Sequence, residues 1–169
     1  MNVFRKISKE EYDKTIYSEF SPKKGILDYL AYDELIIPRR ATKGSAGYDF
    51  FSPISFFLKP GETMKVPTGI KCQLDNKNVL MLFPRSSYGF KYRMQLDNTV
   101  GIVDSDYFDN IDNEGHIFIK ITNDTKNDKT ITIKKGDAFA QGIILPFETA
   151  YEDEITIERV GGIGSTSKN

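Results

Sequence analysis

From residue 34 onward the chain is broken into short apolar or alternating runs, each closed by a turn former. No other feature of the sequence restricts the fold as much. The runs fall at 35–37, 48–51, 54–58, 64–68, 79–83, 117–121, 130–133 and 139–145. Between them stand Pro60-Gly61, Asp75-Asn76, Asn127-Asp128 and Lys135-Gly136. A helix needs an apolar stripe at 3.6-residue spacing sustained over several turns, and these runs are too short to carry one. Many short strands with turns between them predict an all-β domain, closed as a barrel or stacked as a two-sheet sandwich.

Residues 1–33 read differently. Ser8-Lys9-Glu10-Glu11 has the form of a capping box, in which Ser8 accepts from the Glu11 backbone and the Glu11 carboxylate answers. Tyr12, Ile16 and Phe20 follow at four-residue spacing, a short helix with one apolar stripe, punctuated by Pro22 and Gly25. The stripe is expected to pack on the parent domain, and no chemistry is assigned to it. The organisation expected is therefore a partly helical extension over 1–33, a β domain over 34–158, and a flexible glycine-rich carboxy-terminal arm over 159–169.

Composition narrows the chemistry. A chain of 169 residues fits a single domain with a real core. A net charge of −1 offers no field to hold nucleic acid, so no direct nucleic-acid binding is expected. No apolar run is long enough for a bilayer, and the start lacks the pattern of a signal peptide, so the expected location is cytoplasmic. One cysteine, Cys72, and one histidine, His116, exclude a disulfide framework and a cysteine/histidine zinc site. Both are assigned structural roles.

Five stretches could carry chemistry. In residues 98–107 an apolar segment with Gly101 in its middle ends in Asp104 and Asp106. A mid-strand glycine suits close approach of a ligand or another backbone, and Asp104 stands where a strand can aim a carboxylate into a pocket. A solvated hairpin turn fits the same residues. Gly44 to Asp49 places an acid behind small residues; Asp49 either ends a turn or stands near a metal or its waters, for which Mg²⁺ with its oxygen preference is suited. Pro84-Arg85-Ser86-Ser87-Tyr88-Gly89, after a strongly apolar strand, is an anion cradle or a surface turn. Gln141 is a polar amide in an apolar strand and must find a hydrogen bond, from a neighbouring loop or from a ligand phosphate. Arg159, Ser165 and Thr166 sit beside glycines that allow close backbone approach to a phosphate, in a tail that is also a candidate for disorder.

In this order the five stretches resemble the five motifs of the trimeric dUTPase family, the dUTP diphosphatases. Ala46-Gly47-Tyr48-Asp49 resembles the first, Pro84 to Gly89 the second, Asn98 to Tyr107 the third, Gly136 to Gln141 the fourth and Arg159 to Thr166 the fifth. The resemblance covers residues 34–169. It implies a jelly-roll-like β domain in a homotrimer with shared active sites, hydrolysing dUTP to dUMP and diphosphate with Mg²⁺. That reaction keeps uracil out of DNA and supplies dUMP for dTMP synthesis. Asp104 matches the catalytic carboxylate that polarises the attacking water. Asn98 matches the uracil contact, and Tyr107 the aromatic that packs on the deoxyribose. Arg85, Ser86, Ser87, Gly89 and Gln141 match phosphate contacts, and Asp49 the acid that holds a water of the metal shell. Arg159, Ser165 and Thr166 match tail residues that close on the phosphates. Gly101, Val103, Ile163 and Gly164 complete the substrate-binding set.

The chain departs from the family in three places. Ile163 stands where many members carry Phe, Arg159 is one residue closer to the tail glycines, and residues 108–114 intervene before Gly115. Two rival functions remain in view. A dCTP deaminase of the same fold would carry a glutamate three residues before Asn123, where this chain has Lys120. A non-catalytic, nucleotide-sensing regulatory trimer would explain the amino-terminal helix, but not an intact Asp49, Asp104 and Gln141.

Overall fold

A computed structural model of the chain describes residues 1–19, 26–153, 155, 156 and 159. Its strands are β1 (Val3–Lys6), β2 (Ile26–Tyr29), β3 (Arg39–Arg40), β4 (Tyr48–Phe51), β5 (Ile54–Leu58), β6 (Thr63–Pro67) and β7 (Ile70–Gln73). They continue as β8 (Asn78–Pro84), β9 (Met94–Leu96), β10 (Gly101–Val103), β11 (Phe118–Asn123), β12 (Ile131–Ile133) and β13 (Ala138–Pro146). Two helices, α1 (Lys9–Glu19) and α2 (Ser86–Tyr92), join them. The largest sheet runs β10-β8-β13-β4-β3, and β6-β11-β9, β12-β5-β2 and β1-β7 form smaller ones. All these pairings are antiparallel. The architecture is the expected all-β one, a jelly-roll-like sandwich.

Period-two patterning decides which faces meet. In β5, Ile54, Phe56 and Leu58 are buried while Phe57 is exposed, and β11 and β12 alternate in the same way. Phe50, Phe56 and Phe139 are fully buried at the centre of the core, each worth about 2–3 kcal/mol of apolar burial. Asn123, also fully buried, is satisfied by donating to the carbonyls of Leu58 and Lys129 at 2.9 Å each. It ties the end of β11 to the end of β5 and to the loop beyond.

The runs expected at 48–51, 54–58, 64–68, 79–83, 117–121, 130–133 and 139–145 are strands within a residue or two. Residues 35–37 are not. They follow a 3₁₀ turn, Tyr32–Glu34, and run into Pro38, which has no N–H for a ladder, although Leu35 is still buried.

The amino-terminal segment is woven into the sheets. β1 pairs with β7 and β2 with β5. Tyr12 and Ile16 of α1 are buried as the stripe predicts, with Tyr12 donating to the Leu30 carbonyl at 2.9 Å. Phe20 lies outside the described residues. Half of the expected capping box forms: the Glu11 N–H donates to Ser8 Oγ at 3.1 Å. The returning carboxylate belongs to Glu114 instead, which accepts from Ser8 N at 2.9 Å and from Ser8 Oγ at 2.5 Å. A carboxylate at a helix start favours the orphan N–H groups whichever residue supplies it.

Candidate active site

β10 is a three-residue strand laid along β8, with Gly101 opposite Leu82 and Val103 opposite Leu80. A Cβ on Gly101 would stand 3.0 Å from the Leu82 Cβ, so the close approach that this glycine permits is to its own sheet neighbour. Asp104 follows directly and precedes the 3₁₀ turn Ser105–Tyr107. Behind the strand, Thr99 takes the left-handed conformation at φ 60°. A β-branched residue held there stores strain, a feature that clusters at functional sites.

The Asp104 side chain is half exposed, and an arginine engages its carboxylate. Arg159 Nη2 pairs with its Oδ2 at 2.7 Å, and Arg159 Nε pairs with Asp106 Oδ1 at 2.9 Å. The arginine side chain is only 12% exposed, and its guanidinium carbon lies 5.8 Å from the centroid of the Tyr107 ring. Asn98, Gly101, Val103, Asp104, Tyr107 and Arg159 thus line one cleft of about 270 Å³. Sequence reasoning missed Asp106 as a site residue, although its spacing from Asp104 was the available signal. Tyr107 is buried; its hydroxyl donates to the His116 carbonyl at 2.8 Å and accepts from Asn113 Nδ2 at 2.9 Å. Burial pushes its phenol above the ordinary value, against the opposing pull of Asn113 and the Arg159 charge.

The remaining candidates gather elsewhere on the sheet. Asp49 in β4 sits opposite Gln141 in β13, and Gln141 opposite Phe83 in β8. Arg85 Nε pairs with Asp49 Oδ1 at 3.2 Å, and Arg85 Nη1 donates to the Ala138 carbonyl at 3.1 Å. Gln141 Nε2 donates to the Pro84 carbonyl at 3.2 Å, so of the two roles open to this amide the structure displays the bond to a neighbouring segment. A Cβ on Gly47 would stand 2.5 Å from Gln141 Oε1, which explains the glycine in the first motif. Ser86, Ser87 and Gly89 belong to the short helix α2, not to an open turn, with Arg85 as its N-cap residue. Arg85, Ser87, Tyr88 and Lys91 line a second cleft.

The register separates the two groups. Asp104 leaves the sheet beyond the level of Leu80 and two strands from Gln141, which places them roughly 15 Å apart by strand geometry. Ile163, Gly164, Ser165 and Thr166 lie outside the described residues. Among the described residues no three His, Cys, Asp or Glu side chains cluster as a metal cage. Cys72 is buried and its thiol is pushed up to about 12 by burial, an inert structural residue as expected.

Comparison with known proteins gives a consistent result. The dUTPase family profile matches residues 33–167. The deoxyuridine 5'-triphosphate nucleotidohydrolase of Lactococcus lactis is 42% identical over 132 residues, spanning 77% of this chain and 87% of that protein. The same-named protein of Coxiella burnetii is 37% identical over 152 residues, 85% of this chain and 95% of its own. Among solved structures, a dUTPase from Streptococcus mutans superposes with a TM-score of 0.64 at 38% identity. It covers 75% of this chain and 96% of that one.

Proposed function

The chain belongs to the dUTPase family, and on that premise we propose that it hydrolyses dUTP to dUMP and diphosphate, with Asp104 orienting and polarising the attacking water. One observation carries the reading. Asp104 is anchored at the end of a sheet strand, in a cleft whose walls include Asn98 and the buried Tyr107. A fixed carboxylate at the lip of a partly apolar cleft can hold a water in line with a phosphorus and take its proton as the bond forms. Arg159 must then leave Asp104, because a carboxylate engaged by a guanidinium is a poor proton acceptor. Its other natural partners are the phosphate oxygens, where a guanidinium makes paired charge-assisted bonds.

Charge spreading over the phosphates has to be neutralised, and Arg85, the α2 amino terminus and Mg²⁺ are assigned that task. Asp49 fits a hold on Mg²⁺ through water. Its side chain is 17% exposed with Arg85 on one oxygen, and it joins no cluster of three candidate ligands among the described residues, which suits an ion that keeps its waters and rides on the substrate. When bound, the ion supplies Lewis-acid neutralisation of the phosphate oxygens. Since one chain does not bring Asp104 to Arg85 and Gln141, we read the two groups as halves of sites completed between copies, in a homotrimer.

The deaminase alternative is not favoured. Lys120 stands where an acid is required, and its Nζ pairs with Asp97 at 2.7 Å. The test is release of diphosphate from dUTP against dCTP, dTTP and UTP, with and without Mg²⁺. Asp104→Asn should lower turnover by about 10²- to 10⁴-fold while calorimetry still detects dUTP binding. Loss of binding together with turnover would contradict the assigned role. Ammonia from dCTP, or binding of dUTP by the wild type without cleavage, would replace the reading.

A further inference from the structure

Residues 108–115, inserted after the third motif, wrap the back of Tyr107. Asn113 is the centre of the wrap. Its Nδ2 donates to the Tyr107 hydroxyl at 2.9 Å, while its Oδ1 accepts from Asn110 Nδ2 at 2.8 Å and from the Gly115 N–H at 3.1 Å. Asn110 Nδ2 also donates to the Tyr107 carbonyl at 3.0 Å. Asn113 therefore uses both ends of its amide, and the tyrosine is gripped at hydroxyl and backbone together. With its hydroxyl committed to Asn113 and to the His116 carbonyl, Tyr107 turns a ring face to the cleft, toward Arg159.

The loop backbone is built around this grip. Asp109, Glu114 and Gly115 all have positive φ, at 55°, 58° and 76°. A Cβ on Gly115 would stand 2.5 Å from the Tyr107 carbonyl oxygen and 3.0 Å from the Phe108 Cα, so the loop closes on the tyrosine backbone at a distance that only glycine allows. Strain of this kind persists only where surrounding structure holds it. Here the holding groups come from outside the loop. Lys71 of β7 bonds Asp109 and reaches Glu114 at 3.3 Å, and Glu114 in turn takes both donors of Ser8 at the start of α1.

We propose that Asn113 is a positioning residue for the sugar end of the nucleotide: by locking the Tyr107 ring as a rigid wall, the inserted loop sets how strongly a 2′-hydroxyl is refused. The proposal rests on the dUTP reading above. A wall that cannot move rejects one extra oxygen as an overpacked core rejects an extra methyl, whereas a ring free to tilt accommodates it. The amino-terminal segment, through Ser8 and Glu114, is the outer brace of the same wall.

The readout is the ratio of kcat/KM for dUTP over UTP. Asn113→Asp keeps the acceptors for Asn110 and Gly115 and removes the donor to Tyr107, whose hydroxyl, with a single proton to give to the His116 carbonyl or to the new carboxylate, falls from two hydrogen bonds to one. It should lower the ratio by about three- to tenfold, the worth of one hydrogen bond, with saturated dUTP turnover moved less than the ratio. The same substitution in a Tyr107→Phe background should have no further effect, since the bond is already gone. A merely structural Asn113 would lower both substrates alike and leave the ratio in place, and that result overturns the proposal. If Asn113→Asp does not fold, Tyr107→Phe alone decides: it keeps the ring and removes the lock, and an unchanged ratio overturns the proposal. Wild-type protein that fails to cleave dUTP at all defeats the functional reading instead, so the two failures are distinct.

Discussion

His116 is wholly buried; its Nε2 accepts from the Gly69 N–H at 2.9 Å and its Nδ1 has no partner among the described residues. Burial, with Lys65 adding to it, depresses the imidazole from 6.5 to about 3. Above pH 6.5 the ring is neutral folded or unfolded. Between 6.5 and 3 only the unfolded chain takes the proton, so stability falls by about 1.4 kcal/mol per pH unit through that window. Urea melts at stepped pH should show this slope, and His116→Gln should be flatter by that amount. At Gly47 the argument is steric: Gly47→Ala must drive Gln141 from its bond to Pro84. A dUTP KM raised several-fold is expected, with a melting temperature lowered by a few degrees, about 1–2 kcal/mol.

Strands and helices in this chain are stabilised by what they bury, and they fail in proportion. Phe56 is central in β5, between β12 and β2, and fully buried. Phe56→Ala should cost about 3–5 kcal/mol of unfolding free energy by denaturant titration. Phe57, its exposed neighbour on the other face, should tolerate alanine within about 0.5 kcal/mol in an isolated chain. β10 shows the limit of pattern reading. Only Gly101, Ile102 and Val103 form the strand, too few residues for periodicity to mark, yet the sequence 98–107 is readable because each residue's chemistry is distinctive. The stretch that forms α2 was read as an anion cradle or a surface turn, and Ser86, Ser87 and Gly89 are indeed poor helix formers. The helix forms because Tyr88 and Tyr92, four residues apart, stack at 6.2 Å and pack on the core.

For the whole molecule, the proposed sharing of sites between copies makes a prediction that no single-chain enzyme would satisfy. Asp104→Asn and Arg85→Ala should each be nearly inactive alone. Unfolded together and refolded as mixed oligomers, they should regain about a quarter of wild-type activity, because one site in four then draws both halves from intact sequence. No recovery, in oligomers that native mass spectrometry verifies as mixed, would place both halves of the site in one chain. Removing divalent ions with EDTA should abolish turnover, and Mg²⁺ should restore it.

Turn formers and period-two runs were enough to assign an all-β domain, with barrel and sandwich both open, because a half-buried strand writes its two faces directly into alternating residues. The stretches around Asp49, Arg85, Asp104 and Gln141 stood out for a related reason: polar and glycine residues in or beside strands are conspicuous against apolar neighbours, while their roles came only from a family likeness. What sequence could not provide was any contact between segments far apart in the chain. That Glu114 caps α1 in place of Glu11, that Lys71 reaches Glu114 across the fold, and that Asp104 and Arg85 lie on different parts of one sheet all follow from strand order and register. Those are fixed by three-dimensional packing, in which a residue meets partners that no local pattern names.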